Sequence, residues 1–199
     1  YKGGTKMPDT NNKVKFGLSN VHIAKITETD GAITYGTPFA MPGAVSLTAE
    51  PEGDTTPFYA DNIQYYVAVA NNGYTGDLEI AMTPKEFLTQ ILGQSEDTNG
   101  ALFESSDDIN ARFALMGEIE GDAKKRRFIY YDCTAARPSA EMNTIEDTKE
   151  PQTDTISITM AARSSDHVIK AVIEPNKTNQ DVYDTFFTKV YEKNATAGV

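Results

Sequence analysis

Cys133, His22 and His167 are the side chains from which a thiol nucleophile and its base could be drawn, because the sequence holds one cysteine and two histidines. Thiol catalysis needs an imidazole within hydrogen-bond reach and a third group to orient it. Neither histidine stands in a motif that would supply one. Cys133 closes an aromatic-rich run that starts at Phe128, where a free cysteine behaves as a small hydrophobe. Both histidines fall inside strand-like patterns, so a hydrolase built on Cys133 with His22 or His167 has little to carry it. Oxygen ligands of the kind calcium accepts occur at Asp107-Asp108 and among the carboxylates of residues 50–61, but neither place has the alternating acidic spacing and central glycine of a calcium loop. Asp107-Asp108, after Ser105-Ser106, reads as a turn or a short helical start. Asn72-Gly73-Tyr74-Thr75-Gly76 has neither the lysine nor the following helix of a phosphate-binding loop and reads as a strand connection. The single cysteine excludes an intrachain disulfide, and the lack of a Cys/His cluster excludes the common zinc sites. No catalytic residue, cofactor or metal site is expected, and the chain does not read as an enzyme.

Composition points the same way. The chain has 199 residues, with 18 Lys plus Arg against 29 Asp plus Glu and a net charge of −11. A surface this acidic repels duplex DNA, which carries one charge per about 1.7 Å of axis. Lys124-Lys125-Arg126-Arg127, after Gly121-Asp122-Ala123, reads as a solvated hairpin tip rather than a phosphate grip. No run of 18 apolar residues and no charged-then-apolar leader is present, so neither a membrane span nor export is expected. Synthesis in a reducing cytoplasm fits. Residues 1–6, ahead of Met7, read as an appended remnant or tail outside the fold.

Alternation with period two dominates the chain, which predicts strands rather than helices. Ile63, Tyr65, Val67 and Val69 share one face of a strand covered on both sides. Leu78, Ile80 and Met82, then Ile156, Ile158 and Met160, then Ile169, Ala171 and Ile173, mark half-buried strands. Further strands are expected at residues 14–26, 33–35, 44–48, 112–119 and 127–133, with turns at Asp30-Gly31, Asn72-Gly73, Gly121-Asp122 and Glu174-Pro175-Asn176. Tyr65-Tyr66 and Tyr130-Tyr131 must point to opposite faces, one of each pair to the core and the other to a contact surface. Two helices interrupt the pattern. Thr83-Pro84-Lys85-Glu86 reads as an N-cap threonine, a proline at the first helical position and a glutamate at N3, ahead of an apolar stripe of Phe87, Leu88, Ile91 and Leu92 that ends at Gly93. Near the C-terminus, Val182, Tyr183, Phe186, Phe187 and Val190 recur at helical spacing after Thr178 or Asn179, with Lys189 and Lys193 in the last turns. Residues 141–155 are polar and unpatterned and read as a long loop. The fold expected is mainly β, a sandwich or open barrel with two short flanking α-helices.

The segment Glu50, Pro51, Glu52, Gly53, Asp54, Thr55, Thr56, Pro57, Phe58, Tyr59, Ala60 and Asp61 reads as neither strand nor helix. Its prolines remove backbone donors, and its four carboxylates cannot all be buried unpaired, so its backbone runs near solvent. Two adjacent aromatics in such a loop are best explained by docking onto a partner.

This segment, with Pro42-Gly43-Ala44-Val45-Ser46-Leu47 before it and residues 63–79 after it, resembles the major tail protein family of long-tailed, siphophage-type bacteriophages. The likeness runs from about Lys13 to about Lys193 and is densest between Gly36 and Leu92. It implies a tail-tube β domain over residues 13–193, an N-terminal arm over residues 1–12 and a tail over residues 194–199. It also implies that sheets from six subunits join into hexameric rings that stack, through long loops and terminal arms, into a tube for DNA delivery. The partners implied are further copies of the chain and other tail proteins such as the tape-measure and terminator, with DNA passing through the lumen unbound and no membrane contact. The implied place is the virion tail, after synthesis in the host bacterial cytoplasm. On this reading residues 50–61, with Phe58 and Tyr59 as anchors, make the ring contacts; residues 141–155 and those before Val14 are weaker candidates. Asp, Glu, Ser and Thr should line the lumen, on a sheet face that parity does not choose. The alternatives are a monomeric β-sandwich that binds a receptor or carbohydrate, and the inner tube of a contractile injection device.

Overall fold

Residues 113–116 and 129–131 are apolar at successive positions, which suits a sheet covered on both faces, and both runs lie at the centre of the molecule. The computed structural model describes residues 17–60, 62–120, 124–140, 142, 144 and 151–193. Strand β1 (Leu18–Thr29) turns at Asp30-Gly31, both with positive φ, into β2 (Ala32–Tyr35). The strands β3 (Phe39–Ala40), β4 (Ala44–Leu47), β5 (Glu50–Glu52), β6 (Thr55–Ala60), β7 (Ile63–Val69) and β8 (Gly73–Ile80) follow, then helix α1 (Lys85–Gln90). The rest is β9 (Ser95–Glu96), β10 (Leu102–Phe103), β11 (Phe113–Ile119), β12 (Arg127–Ala135), β13 (Ser139–Ala140), β14 (Asp154–Ala161), β15 (Lys170–Ile173) and α2 (Gln180–Asp184).

The main sheet is antiparallel in the order β2-β1-β11-β12-β14-β8-β4, with β3 on β1, β5 on β8, β13 on β14 and β15 on β12. Strand β12 divides one edge between two partners: residues 127–130 pair with β15 and residues 132–135 with β14. Since β3 pairs with β1 while β4 pairs with β8, residues 39–47 cross from one side of the sheet to the other. One core fills the space this leaves, joining Ile23 of β1, Leu115 of β11, Cys133 of β12, Ile158 of β14 and Leu78 of β8 around Phe87 and Ile91. Each fully buried aliphatic or aromatic side chain there contributes roughly 1.5–3 kcal/mol. The opposite face of β1, β11, β12 and β15 presents Ala24, Met116, Ile129, Tyr131 and Ile173, which Tyr183, Phe186 and Val190 of the C-terminal segment cover.

The mainly β architecture agrees with the sequence reading, and several local expectations are corrected. Thr83 does not cap α1: its hydroxyl and its N–H donate to Asp154 Oδ2, at 2.7 and 2.8 Å, and Pro84 is the cap residue. Helix α1 flanks the sheet as expected and is anchored in the core by Phe87 and, just past its end, Ile91, both fully buried. The C-terminal helix is one short turn; the chain continues as turns, so Lys189 and Lys193 meet no helix terminus, although the predicted apolar residues do bury a sheet face. Asn179 satisfies the Asn176 N–H with its own side chain and donates to the Glu174 carbonyl, which leaves no cap bond. Strand β8 ends at Ile80, and Met82 is exposed. Tyr130 and Tyr131 do face opposite ways, but two covered faces bury both. Of the expected strand at residues 14–26, the part before Gly17 lies outside the described residues, as do Gly121-Asp122 and most of residues 141–150.

Candidate assembly surface

Asn72-Gly73 does not close a hairpin. Gly73 opens β8, and the chain reverses instead between Ala60 and Ile63, which are paired residues. Residues 44–60 therefore run antiparallel to residues 63–80 as one long ribbon: Leu47 pairs with Leu78, Glu50 with Thr75, Glu52 with Gly73, Thr55 with Val69 and Phe58 with Tyr66. Asn72 N donates to Glu52 O at 2.8 Å and Ala70 N to Asp54 O at 3.0 Å, which carries the ladder across the junction. Beyond that junction β6 and β7 pair with each other and, among the described residues, with no other strand. They form an arm of 6 residues on one side and 7 on the other, roughly 20 Å at ~3.3 Å per residue.

The segment expected to be an irregular loop is thus β5 and β6, and the strand expected to be covered on both sides is the arm's return strand. Both differences have one physical reason. Proline is tolerated on the open edge of a ribbon, where no ladder bond is lost, and Pro51 and Pro57 occupy such strands. Glu50, Glu52, Gly53, Asp54, Thr55 and Pro57 are exposed. Glu52 Oε1 accepts a bond from Thr75 Oγ1 at 2.7 Å. Phe58 and Tyr59 take their places in the β6 ladder opposite Tyr66 and Gln64, and Thr56 opposite Ala68. Asp61 lies outside the described residues. At the arm's root the neighbouring backbone leaves no room for side chains. A Cβ at Gly53 would stand 2.0 Å from the Ala70 carbonyl oxygen, and one at Gly76 would stand 2.0 Å from that of Thr48.

Below the arm, β4, β5, β8, β12 and β14 turn a polar face outward while Leu78, Ile80, Ile156, Ile158 and Met160 fill the core behind it. Ser157 Oγ donates to Asp77 Oδ1 at 2.7 Å, Thr153 Oγ1 to Glu79 Oε1 at 2.8 Å, and Ser46 Oγ to Glu79 Oε2 at 3.1 Å. Thr48 Oγ1 accepts the Asp77 N–H at 2.9 Å. A shallow, open groove along this face is lined by Thr48, Glu50, Thr75, Asp77, Thr134, Ser157 and Thr159 with small or apolar residues between them, and by neither lysine nor arginine. Asp77 in this groove is held by the Ser157 hydroxyl, and the lining presents no cation to a phosphate.

The cations are engaged elsewhere. Arg127 Nε donates to Glu118 at 2.8 Å, its guanidinium lies 3.8 Å over the Tyr183 ring, and Nη1 meets the Tyr183 carbonyl. Lys124 pairs with Glu174 at 3.1 Å. The expected solvated basic tip is therefore partly an anchor for the C-terminal segment. Cys133 is fully buried and its thiol pKa is raised by burial, as expected of a core residue. Asp107-Asp108 forms the expected turn, with Ser105 N on Asp108 Oδ2 at 2.8 Å. Among the described residues no cluster of metal-ligating side chains occurs and no helix is long and apolar enough to cross a membrane.

Residues 5–199 match the family described as "Phage tail tube protein". The chain belongs to that family. It is a structural component of a phage tail tube and so of the virion tail. No curated protein matches it in sequence. Solved structures similar to it include the tube-terminating cap of the anti-feeding prophage, at 8% identity and TM-score 0.45 over 86% of this chain and 100% of that one. Another is a PVC sheath–tube complex of an extracellular contractile injection system in the extended state, at 6% identity and TM-score 0.48 over the same shares. The assignment rests on the family match.

Proposed function

We propose that six copies of this tail-tube protein close into a ring, that rings stack into a tube, and that DNA passes through it to the host. The observation that carries this reading is the hydroxyl–carboxylate face of β4, β5, β8 and β14, which we assign to the lumen. A conduit for DNA must not bind it, and a wall with fixed negative charge and no lysine or arginine repels phosphate at short range. Hydroxyl groups of Ser157, Thr153 and Ser46 hold the Asp77 and Glu79 carboxylates in place on that face. The arm, residues 50–61 with their return strand, supplies the ring contact. An isolated two-stranded ribbon is marginally stable in water and its edges invite pairing, so a ribbon rich in aromatic residues fits a role in which a neighbouring copy covers it.

The lumen assignment is tested by Asp77→Lys and Ser157→Lys. Both side chains point away from the core, so tubes should form normally while DNA release, followed by dye influx on triggered virions, slows severalfold. Unchanged release from normal tubes would remove this face from the lumen. Failure of the native protein to form rings under any condition would favour a monomeric binding module.

A further inference from the structure

We propose that the Asn99-Gly100 step is a self-modifying site, at which the asparagine converts to aspartate and isoaspartate, and that Asp97 sets its pace. The sequence holds two Asn-Gly steps, Asn72-Gly73 and Asn99-Gly100. Glycine makes such a step reactive, because without a Cβ its nitrogen can swing onto the preceding carboxamide. The fold treats the two steps oppositely. Asn72 N donates to Glu52 O at 2.8 Å and Gly73 N to Asn71 Oδ1 at 3.3 Å. Gly73 is buried in the β8 ladder opposite Glu52, with the Met160 carbonyl oxygen 2.1 Å from a Cβ position. Turning that backbone toward ring closure would break strand pairing. Asn99 and Gly100 are instead exposed in the turn between β9 and β10, which form a two-stranded sheet of their own. Gly100, at φ 83°, has as its nearest atom beyond its chain neighbours Glu96 Oε1, 3.7 Å from a Cβ position. Here the backbone can open locally without disturbing the main sheet.

The reaction needs only the chain, base and water. Base removes the Gly100 amide proton, the nitrogen attacks Asn99 Cγ, and the Cγ–Nδ2 bond breaks as ammonia leaves and a succinimide ring closes. Water then opens the ring at either carbonyl, giving aspartate with the normal backbone or isoaspartate with the chain rerouted through the side chain. Each event consumes a water, releases an ammonia and adds one negative charge, with no change of oxidation state. Asp97 holds the unreacted form. Its Oδ1 accepts from Asn99 N at 2.9 Å and from Ala101 N at 2.8 Å, and its Oδ2 accepts from Asn99 Nδ2 at 3.2 Å. Its carbonyl accepts the Gly100 N–H at 3.1 Å. The Oδ2 bond pins the leaving amide, the carbonyl bond covers the proton that must be lost, and the carboxylate disfavours a second anion beside it. Reaction therefore proceeds through excursions in which this turn opens. Conversion removes the Nδ2 donor and sets a new carboxylate beside Asp97, so the turn loosens next to Glu96, which pairs with Lys85 of α1.

The test holds the full-length protein at mildly alkaline pH and follows residues 72 and 99 by peptide mapping, which reads the mass change from amide to acid. Labelling by an isoaspartyl methyltransferase reports the rerouted product. In the folded protein residue 99 should convert severalfold faster than residue 72, and the two rates should converge in urea, where both steps lose the fold. Asp97→Ala should speed conversion at residue 99 severalfold and leave residue 72 unchanged, whereas Asp97→Asn, which keeps a carbonyl acceptor, should speed it less. Both differences should vanish in urea. Asn99→Asp, which reproduces one product, should lower the melting temperature of the native fold. Equal rates at the two steps in the folded protein, or a faster residue 72, would overturn the site. A native rate at residue 99 in both Asp97 variants would overturn the role of Asp97.

Discussion

Arg163 donates from Nη1 to both carboxylate oxygens of Glu192, at 2.7 and 2.8 Å, and so ties the C-terminal segment to the turn after β14. Its Nε and Nη2 meet Asp166 at 2.9 and 2.7 Å, and its guanidinium lies 4.7 Å over the Tyr131 ring. The tie spans the face that Tyr183, Phe186 and Val190 bury, so it holds together residues distant in sequence. Arg163→Met should cost about 2 kcal/mol, less than a fully buried pair because both carboxylates retain solvent. Urea unfolding should show the loss with an unchanged denaturant slope.

Asp166 is held down to about 2, chiefly by its hydrogen bonds from Arg163. A carboxylate depressed below its unfolded value near 3.9 stabilises the fold above that pH, and the contribution disappears as pH falls from about 4 toward 2. The native protein should therefore lose stability over that window, and Arg163→Met should flatten that part of the profile. Thermal unfolding of both proteins from pH 5 downward checks this.

At the alkaline end, Tyr35 is raised to about 12, mainly by burial, while its hydroxyl donates to the Tyr131 carbonyl at 3.1 Å. The unfolded phenol ionises near 10. The stability this group contributes is present below that pH and is lost as pH rises from about 10 through 12. Ultraviolet titration should show a late-ionising phenol that disappears in Tyr35→Phe, a variant expected to lose about 1 kcal/mol at neutral pH.

Two glycine substitutions should separate close approach from backbone conformation. Gly76→Ala drives a methyl group into the Thr48 carbonyl and should cost about 2 kcal/mol or more while disturbing the arm's root. Gly31, at φ 77°, has open space where a methyl group would stand. Gly31→Ala should therefore cost only about 1 kcal/mol of backbone strain. Equal melting temperatures for the two would contradict the packing described at residues 44–48.

The arm should be separable from the fold. Deleting residues 53–57, or joining residues 53 and 71 by a short turn, should leave far-ultraviolet dichroism and melting nearly unchanged, because β6 and β7 pair only with each other among the described residues. Tube formation should stop. Normal tubes from either deletion would remove residues 50–61 as the ring contact.

Strands whose apolar residues alternate against one core are legible in the sequence. Ile156, Ile158 and Met160 mark β14, and Phe87 with Ile91 marks α1, because burial imposes period two or 3.6 on residue type. The arm is not legible in the same way. Pro51 and Pro57 argue against a central strand, and nothing local says that an edge ribbon tolerates them. Asn72-Gly73 carries turn chemistry, yet Gly73 is needed where a side chain would strike the Met160 carbonyl, 2.1 Å from a Cβ position. Composition alone suggests a polar face, but Ser157 and Asp77 are 80 residues apart, and only strand order brings them together.

The sharpest test of the tube arrangement is a cryo-electron-microscopy reconstruction of the assembly this protein forms. Sixfold rings are expected, with Asp77, Glu79 and Ser157 facing the lumen and the β6–β7 arm crossing to a neighbouring copy. A reconstruction with that face on the outer wall, or with the arm folded back on its own subunit, would contradict it.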